Sequence, residues 1–210
     1  MFKILFELIA KYILKPFSFI FHPIFISLYG AILYFLITKN TNNLVEVYLS
    51  CIQIFILTIL LPVSFYLLLK SLKKINSFTE ATLEERRVPI FIQLLLLYFL
   101  LKFTVLETNF PELFKFFQGG FLSAFLVFIF VMFRFKASLH MIGCTSLTVF
   151  VLFFTSYLQL SSVYTVASLI VCMGFVASSR LYMNAHTPIE LLAGITIGGL
   201  PQILVWFYNM

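Results

Sequence analysis

Residues 188–208, PIELLAGITIGGLPQILVWFY, carry one charged side chain, Glu190, and otherwise form a continuous apolar run. About 20 apolar residues are enough to cross the hydrocarbon of a bilayer as a helix, so this segment is predicted to be a membrane span. Working back toward the N-terminus, the same kind of run recurs over 161–180, 138–158, 118–135, 89–106, 46–69 and 17–37, which makes seven predicted spans. The third and fourth are the most interrupted, by Lys102 near the end of one and Arg134 at the end of the other. Each of those two reads either as a full crossing or as a tilted, partly interfacial helix, so the count is six to seven.

The composition points the same way. Of the 210 residues, 62% are hydrophobic and 10% charged, and Phe alone occurs 28 times. Soluble domains carry about a quarter charged residues, and a water-soluble fold of this size has no interior large enough to hide so much apolar surface. The predicted fold class is an all-α integral membrane protein, one domain over 1–210 with no linker, repeat or low-complexity tract. Its expected surroundings are membrane lipids and not nucleic acid.

Lys3, Glu7, Lys11 and Lys15 recur every four residues and draw a narrow polar stripe along an apolar segment, with no small-residue cleavage site after it. Residues 1–15 read equally as an interfacial helix or as the outer end of a long first helix. Cys51, Cys144 and Cys172 sit in apolar runs without paired spacing; they read as small packing residues, not as a disulfide or zinc framework. The spacing Gly194-x-x-x-Gly198 lets helices approach closely and is read as packing within the chain; it defines no oligomeric state.

Seven spans fix a parity. With the N-terminus on one side, the polar segment 70–88 and the turns Arg134–His140 and Arg180–Thr187 all fall on that side, together with every His and Arg except His22. The same side holds 11 of the 14 basic residues, leaving Lys39, Lys102 and Lys115 opposite. The positive-inside rule turns the richer side to the cytoplasm.

Charged groups and imidazoles are costly at a membrane boundary, and three clusters of them stand out. In the first, Ser179 and Arg180 are followed by His186 and Glu190. Thr187 suits a helix N-cap and Pro188 the first helical position, which places His186 just ahead of a helix N-terminus, a site that favours anions. Glu190, one turn on, can hold one ring nitrogen and leave the other as a nucleophile, while Arg180 offers a fork of donors suited to phosphate. Thr187-Pro-Ile-Glu190 is also a capping box, which would account for the carboxylate without catalysis. The second cluster, Lys136-Ala-Ser138-Leu-His140, puts an imidazole at the mouth of a span, either as a general acid or as an interfacial group satisfied by water. The third, Glu84-Glu85-Arg86-Arg87-Val88-Pro89, is a phosphate clamp or a topology anchor.

Together these residues resemble the membrane-bound type 2 phosphatidic acid phosphatase family, whose helical bundle is shared with haloperoxidases and bacterial acid phosphatases. The family pattern Ser-Arg-x5-His-x3-Asp is matched by Ser179, Arg180, His186 and Glu190, with Glu for Asp. Pro-Ser-Gly-His survives as Ser138 and His140 with Leu139 for Gly, and Lys-x6-Arg-Pro as Arg87 or Arg86 near Pro89. The resemblance covers about residues 70–200, and the Phe21-His-Pro23 opening is similar to a divergent bacterial branch. It implies a metal-free and cofactor-free phosphoester hydrolase of a bacterial inner membrane. In that scheme His186 is the nucleophile forming a phosphohistidine, Glu190 orients it, and His140 exchanges protons with the leaving group and water. Arg180, Arg87 or Arg86, Ser138 and Ser179 hold the phosphate, and Lys136 stands in for the missing first-motif Lys. The implied substrate is a phosphorylated lipid, whether an isoprenoid diphosphate, a phosphatidate-like lipid or a lipid A phosphate. Family analogy turns the site to the periplasm, opposite to the charge count. The competing expectation is a non-catalytic lipid-binding or assembly protein that keeps the fold, favoured by the missing Lys and by Leu139. A transporter would place ionisable groups in mid-span, where only Lys102 qualifies.

Overall fold

In this computed structural model the residues described are 12, 14–38, 43–74 and 83–208. The expected interfacial helix over 1–15 lies almost wholly outside them. All regular structure among the described residues is helical and none is strand. The helices are α1 (Lys15–Ile20), α2 (Pro23–Ile37), α3 (Leu44–Ser71, with a π turn at Ile56–Leu60), α4 (Leu83–Phe103), α5 (Leu106–Asn109), α6 (Pro111–Met132), α7 (Leu139–Tyr157), α8 (Val163–Tyr182) and α9 (Pro188–Tyr208).

Local chemistry sets these boundaries. Pro23, Pro111 and Pro188 each open a helix at its first position, where the missing N–H has no partner to lose. Asn43 caps α3 by accepting from the Val45 N–H at 3.1 Å. Helices α3, α6, α7 and α8 all end on a non-glycine residue in the left-handed region: Lys73, Arg134, Gln159 and Asn184, with φ between 51° and 60°. In each case the next N–H bonds back to a carbonyl of the last turn: Lys74 to Leu69, Phe135 to Phe130 and Leu160 to Thr155 at 2.9 Å, and Ala185 to Arg180 at 3.1 Å. This is the Schellman closure, which satisfies the end carbonyls and reverses the chain at once.

Among the described residues five helices are long and apolar enough to cross a membrane: α3, α6, α7, α8 and α9. The other two predicted spans are helices that fall short for different reasons. The predicted span 17–37 is broken at Phe21–His22. Pro23 disfavours helical geometry in the residue before it, and His22 adopts φ −65°, ψ 138°, leaving α2 only 15 residues long. In α4, every 18-residue window contains at least three charged residues drawn from Glu84, Glu85, Arg86, Arg87 and Lys102. The predicted fourth span is uninterrupted as α6, because Arg134 lies beyond its last residue, Met132.

The outer face carries large apolar side chains turned outward. On α3, Tyr48, Leu49, Ile52, Leu60, Leu67 and Leu68 are exposed, which is stable where lipid, not water, covers them. Helix α7 is the most enclosed, packed by α2, α6, α8 and α9. Gly194 and Gly198 allow α9 to lie directly on it. A Cβ at Gly198 would sit 2.3 Å from the Ile142 carbonyl oxygen, and one at Gly194 would sit 2.8 Å from that of Ser138. The Gly-x-x-x-Gly spacing therefore serves packing within the chain.

The two ends of the bundle gather different groups. At one end Tyr34 donates to Glu112 at 3.1 Å, Asn109 donates to Glu46 at 3.0 Å, and the Lys115 ammonium lies 4.7 Å from the Trp206 ring centroid. The other end receives the starts of α2, α4, α7 and α9 and the end of α8.

Candidate active site

His186 occupies the short reversal between α8 and α9, delivered there by the Asn184 closure. Its Nδ1 lies 2.8 Å from Glu190 Oε2. A carboxylate only accepts, so Nδ1 carries the proton and Nε2 keeps its lone pair. The same carboxylate oxygen accepts from the Thr187 N–H at 3.1 Å, and the Glu190 N–H donates to Thr187 Oγ1 at 3.3 Å. The capping box and the imidazole clamp are thus one arrangement, and the two readings of Glu190 are not alternatives. Burial holds the His186 pKa below the ordinary imidazole value. The Glu190 hydrogen bond works against that shift, and the charges of Lys136, Arg180 and Arg86 reinforce it. At neutral pH the ring is therefore uncharged.

Arg180, on the last turn of α8, is 5% exposed, and its Nε has no hydrogen-bond partner among the described residues. A buried guanidinium in that condition is costly unless an anion meets it. Arg86, in the first turn of α4, stands within electrostatic reach of Glu190, Arg180, Lys136 and His186. Arg180, Arg86, His140 and His186 all line one cavity of about 350 Å³. Arg87 is not among the described lining residues, and its Nε is buried without a partner among the described residues. Of the doubled arginine, Arg86 is the one the helix turns into the site.

The remaining candidates support the site from behind. Ser138, fully buried, is the residue before α7; its N–H donates to the Glu190 carbonyl at 3.2 Å, and its Oγ has no partner among the described residues. Ser179 Oγ is paired with Ser18 Oγ at 2.8 Å, joining α8 to α1. Lys136 Nζ donates to the Ala185 carbonyl at 3.0 Å and so braces the loop that carries His186. Burial lowers the Lys136 pKa, and the charges of Arg86 and Arg180 add to that against Glu190. Among the described residues no three His, Cys, Asp or Glu side chains gather as a metal would require.

His140, in the first turn of α7, has Nε2 at 3.1 Å from the Ser18 carbonyl, so that nitrogen is the donor and Nδ1 the acceptor. The sequence placed His22 inside a span and apart from the other imidazoles, and the structure corrects this. Because the helix breaks before Pro23, His22 caps α2, with Nδ1 accepting from the Ile24 N–H at 3.4 Å, and its ring lies edge-on to His140 at 5.3 Å between centroids. Burial and the Arg180 charge lower the His22 pKa. The signal was available in the His-Pro pair, the same helix-opening chemistry as His186-Thr-Pro188.

No family model matches the chain, and no curated protein or solved structure matches it either.

Proposed function

We propose that the protein is a membrane-bound phosphohydrolase of the type 2 phosphatidic acid phosphatase kind, acting on a phosphorylated lipid through a phosphohistidine. The observation that carries this reading is the His186–Glu190 contact of 2.8 Å beside a buried Arg180 whose Nε has no partner among the described residues, with both His186 and Arg180 facing one cavity. A neutral imidazole with its Nδ1–H held by a carboxylate is an activated nucleophile, and two guanidinium groups are suited to the charge of a phosphoryl group.

The Nε2 lone pair of His186 forms an N–P bond as the P–O bond to the lipid breaks. His140 Nδ1, the acceptor nitrogen, takes the proton of a protonated phosphate oxygen of the substrate and passes it to the departing oxygen. It then stands in the tautomer that the Ser18 contact favours, with Nδ1 ready to take a proton from water. That water attacks phosphorus, the N–P bond breaks, and phosphate leaves with both imidazoles restored. Arg180 and Arg86 stabilise the developing charge, and such fixed electrostatics are expected to supply most of the barrier reduction.

A non-catalytic lipid-binding protein is the second reading. It is favoured by the engagement of Ser179 with Ser18 and by the absence of Arg87 from the cavity lining. The two readings separate on phosphate release by purified protein in detergent with EDTA, using phosphatidate, phosphatidylglycerol phosphate and an isoprenyl diphosphate beside a His186→Ala control. Release that survives EDTA and disappears in the variant supports the hydrolase; no release from well-folded protein sinks it. On the charge count we place the site on the cytoplasmic face of an inner membrane. Alkaline phosphatase fused after Met210 would then be active, and an inactive fusion paired with a fluorescent cytosolic one would put the site on the opposite, periplasmic face.

A further inference from the structure

The cavity that holds the two arginines does not stop at the charged groups. Along α4 its lining runs from Arg86 to Leu97, eleven residues and therefore roughly 16 Å at 1.5 Å per residue. On α6 it extends from Val127 down to Phe117 and Phe116, toward the opposite end of the bundle. Its volume of about 350 Å³ is ligand-sized and far beyond what a packing defect or a single water occupies.

The deep part is mostly apolar, with Thr58, Gln93, Ser123 and Ser146 as its polar side chains. Thr58 Oγ1 donates to the Ile54 carbonyl at 2.8 Å and Ser123 Oγ to that of Ile197 at 2.8 Å. These hydroxyl protons are spent inside the protein. The wall leaves room at Gly120, where an added Cβ would meet nothing within 4 Å. Two lining residues, Phe19 and Phe65, are 61% and 39% exposed. The cavity therefore reaches the outer apolar face of the bundle, where a tail can enter sideways from lipid. Leu97, Phe116 and Phe117, all nearly fully buried, close the far end.

From this we propose that the cavity threads a single extended hydrocarbon tail of a phosphate-headed amphiphile into the bundle interior, and that the wall at Gly120 sets which tails are accepted. The head sits between Arg86 and Arg180, which offset Glu85, the one acidic residue in the lining. The tail runs past Gly120 to the Leu97–Phe117 floor. The proposal rests on the phosphate-site reading for the position of the head, but not on any turnover.

Non-hydrolysable ligands test it in lipid nanodiscs, with dodecylphosphonate and butylphosphonate compared after subtracting partition into protein-free discs. Wild type is expected to bind the dodecyl compound at least ten-fold more tightly than the butyl one. Gly120→Phe is expected to abolish most of that difference and leave butylphosphonate binding unchanged, while Gly120→Ala keeps it. Equal dodecyl binding by wild type and Gly120→Phe overturns the proposal, as does a wild type with no preference for the longer chain. A second readout needs no variant: a dodecylphosphonate with a terminal diazirine should label residues 92–97 or 116–120, and labelling confined to outward residues such as Leu67 and Leu68 overturns it. Binding without hydrolysis of dodecyl phosphate would sink the hydrolase reading alone.

Discussion

A single oxygen of Glu190 holds the His186 ring at 2.8 Å while it also caps the helix on which Glu190 stands. Helix entry and ring orientation therefore cannot be changed independently. Glu190→Ala is expected to lose about 1 kcal/mol of stability from the cap and phosphate release by about 10³-fold or more from the freed ring. Glu190→Gln keeps a carbonyl acceptor for both contacts, so it should recover most of the stability and little of the rate. Melting temperature and single-turnover release, measured on both variants, check this. A glutamine variant with full activity would mean that the carboxylate charge plays no part.

Arg180 sets function against stability. Burying its guanidinium without an acceptor on Nε costs free energy that an apolar residue would not incur. Arg180→Met should leave the folded state unchanged or firmer by about 1–4 kcal/mol and lower phosphate release by about 10²-fold or more. Orthovanadate should raise the melting temperature of wild type and not of the variant. A variant that melts earlier and still hydrolyses would show Arg180 to be a structural residue.

Acid should act on His186 in a fixed direction. Its folded pKa lies below the unfolded value, so the unfolded chain binds more protons at intermediate pH. The stability contributed by the neutral ring is complete above the unfolded value of about 6.5 and declines as pH falls from there toward the folded value. Replacing the ring by Asn should flatten the melting profile between about pH 7 and pH 5. Lys136→Met removes a charge that opposes protonation and should move the acid limb of activity to higher pH. An unmoved limb would mean that another group limits the rate.

The α7–α9 contact has almost no room for change. A Cβ at Gly198 would approach the Ile142 backbone oxygen to 2.3 Å, and a carbonyl cannot rotate aside as a flexible side chain can. Gly198→Ala is expected to destabilise by about 1–3 kcal/mol and to disturb His140 through the helix that carries it. Gly174, whose Cβ would meet nothing within 4 Å, is the matched control and should accept Ala freely. Melting temperatures of the two variants in detergent decide the matter.

What the sequence revealed follows the range of the interactions involved. The His186–Glu190 contact was legible because every element in it is local: a reversal, a cap and a partner one turn away. The choice between Arg86 and Arg87 was not, because neighbouring helix positions point about 100° apart and only the packing of α4 on α6 and α3 decides which one faces inward. His22 was hidden by hydropathy, which ran one span through a break that Pro23 marks locally. Counting Arg134 against the fourth span had the opposite fault, since a charge two residues past a helix end says nothing about the helix. The apolar cavity lies beyond any pattern in the chain, because it is bounded by residues from separate helices that meet only in the folded bundle.

Gly194 and Gly198 press α9 onto the backbone of α7, so His140 and His186 ride on what is mechanically one body. The facing wall is built differently. Helix α3 interrupts its hydrogen-bond ladder with a π turn, carries Pro62 just after it, and leaves half of its residues exposed. Of the two walls, α3 is therefore the one built with an irregular ladder, and the α7–α9 pair is the one that fixes the spacing of the imidazoles.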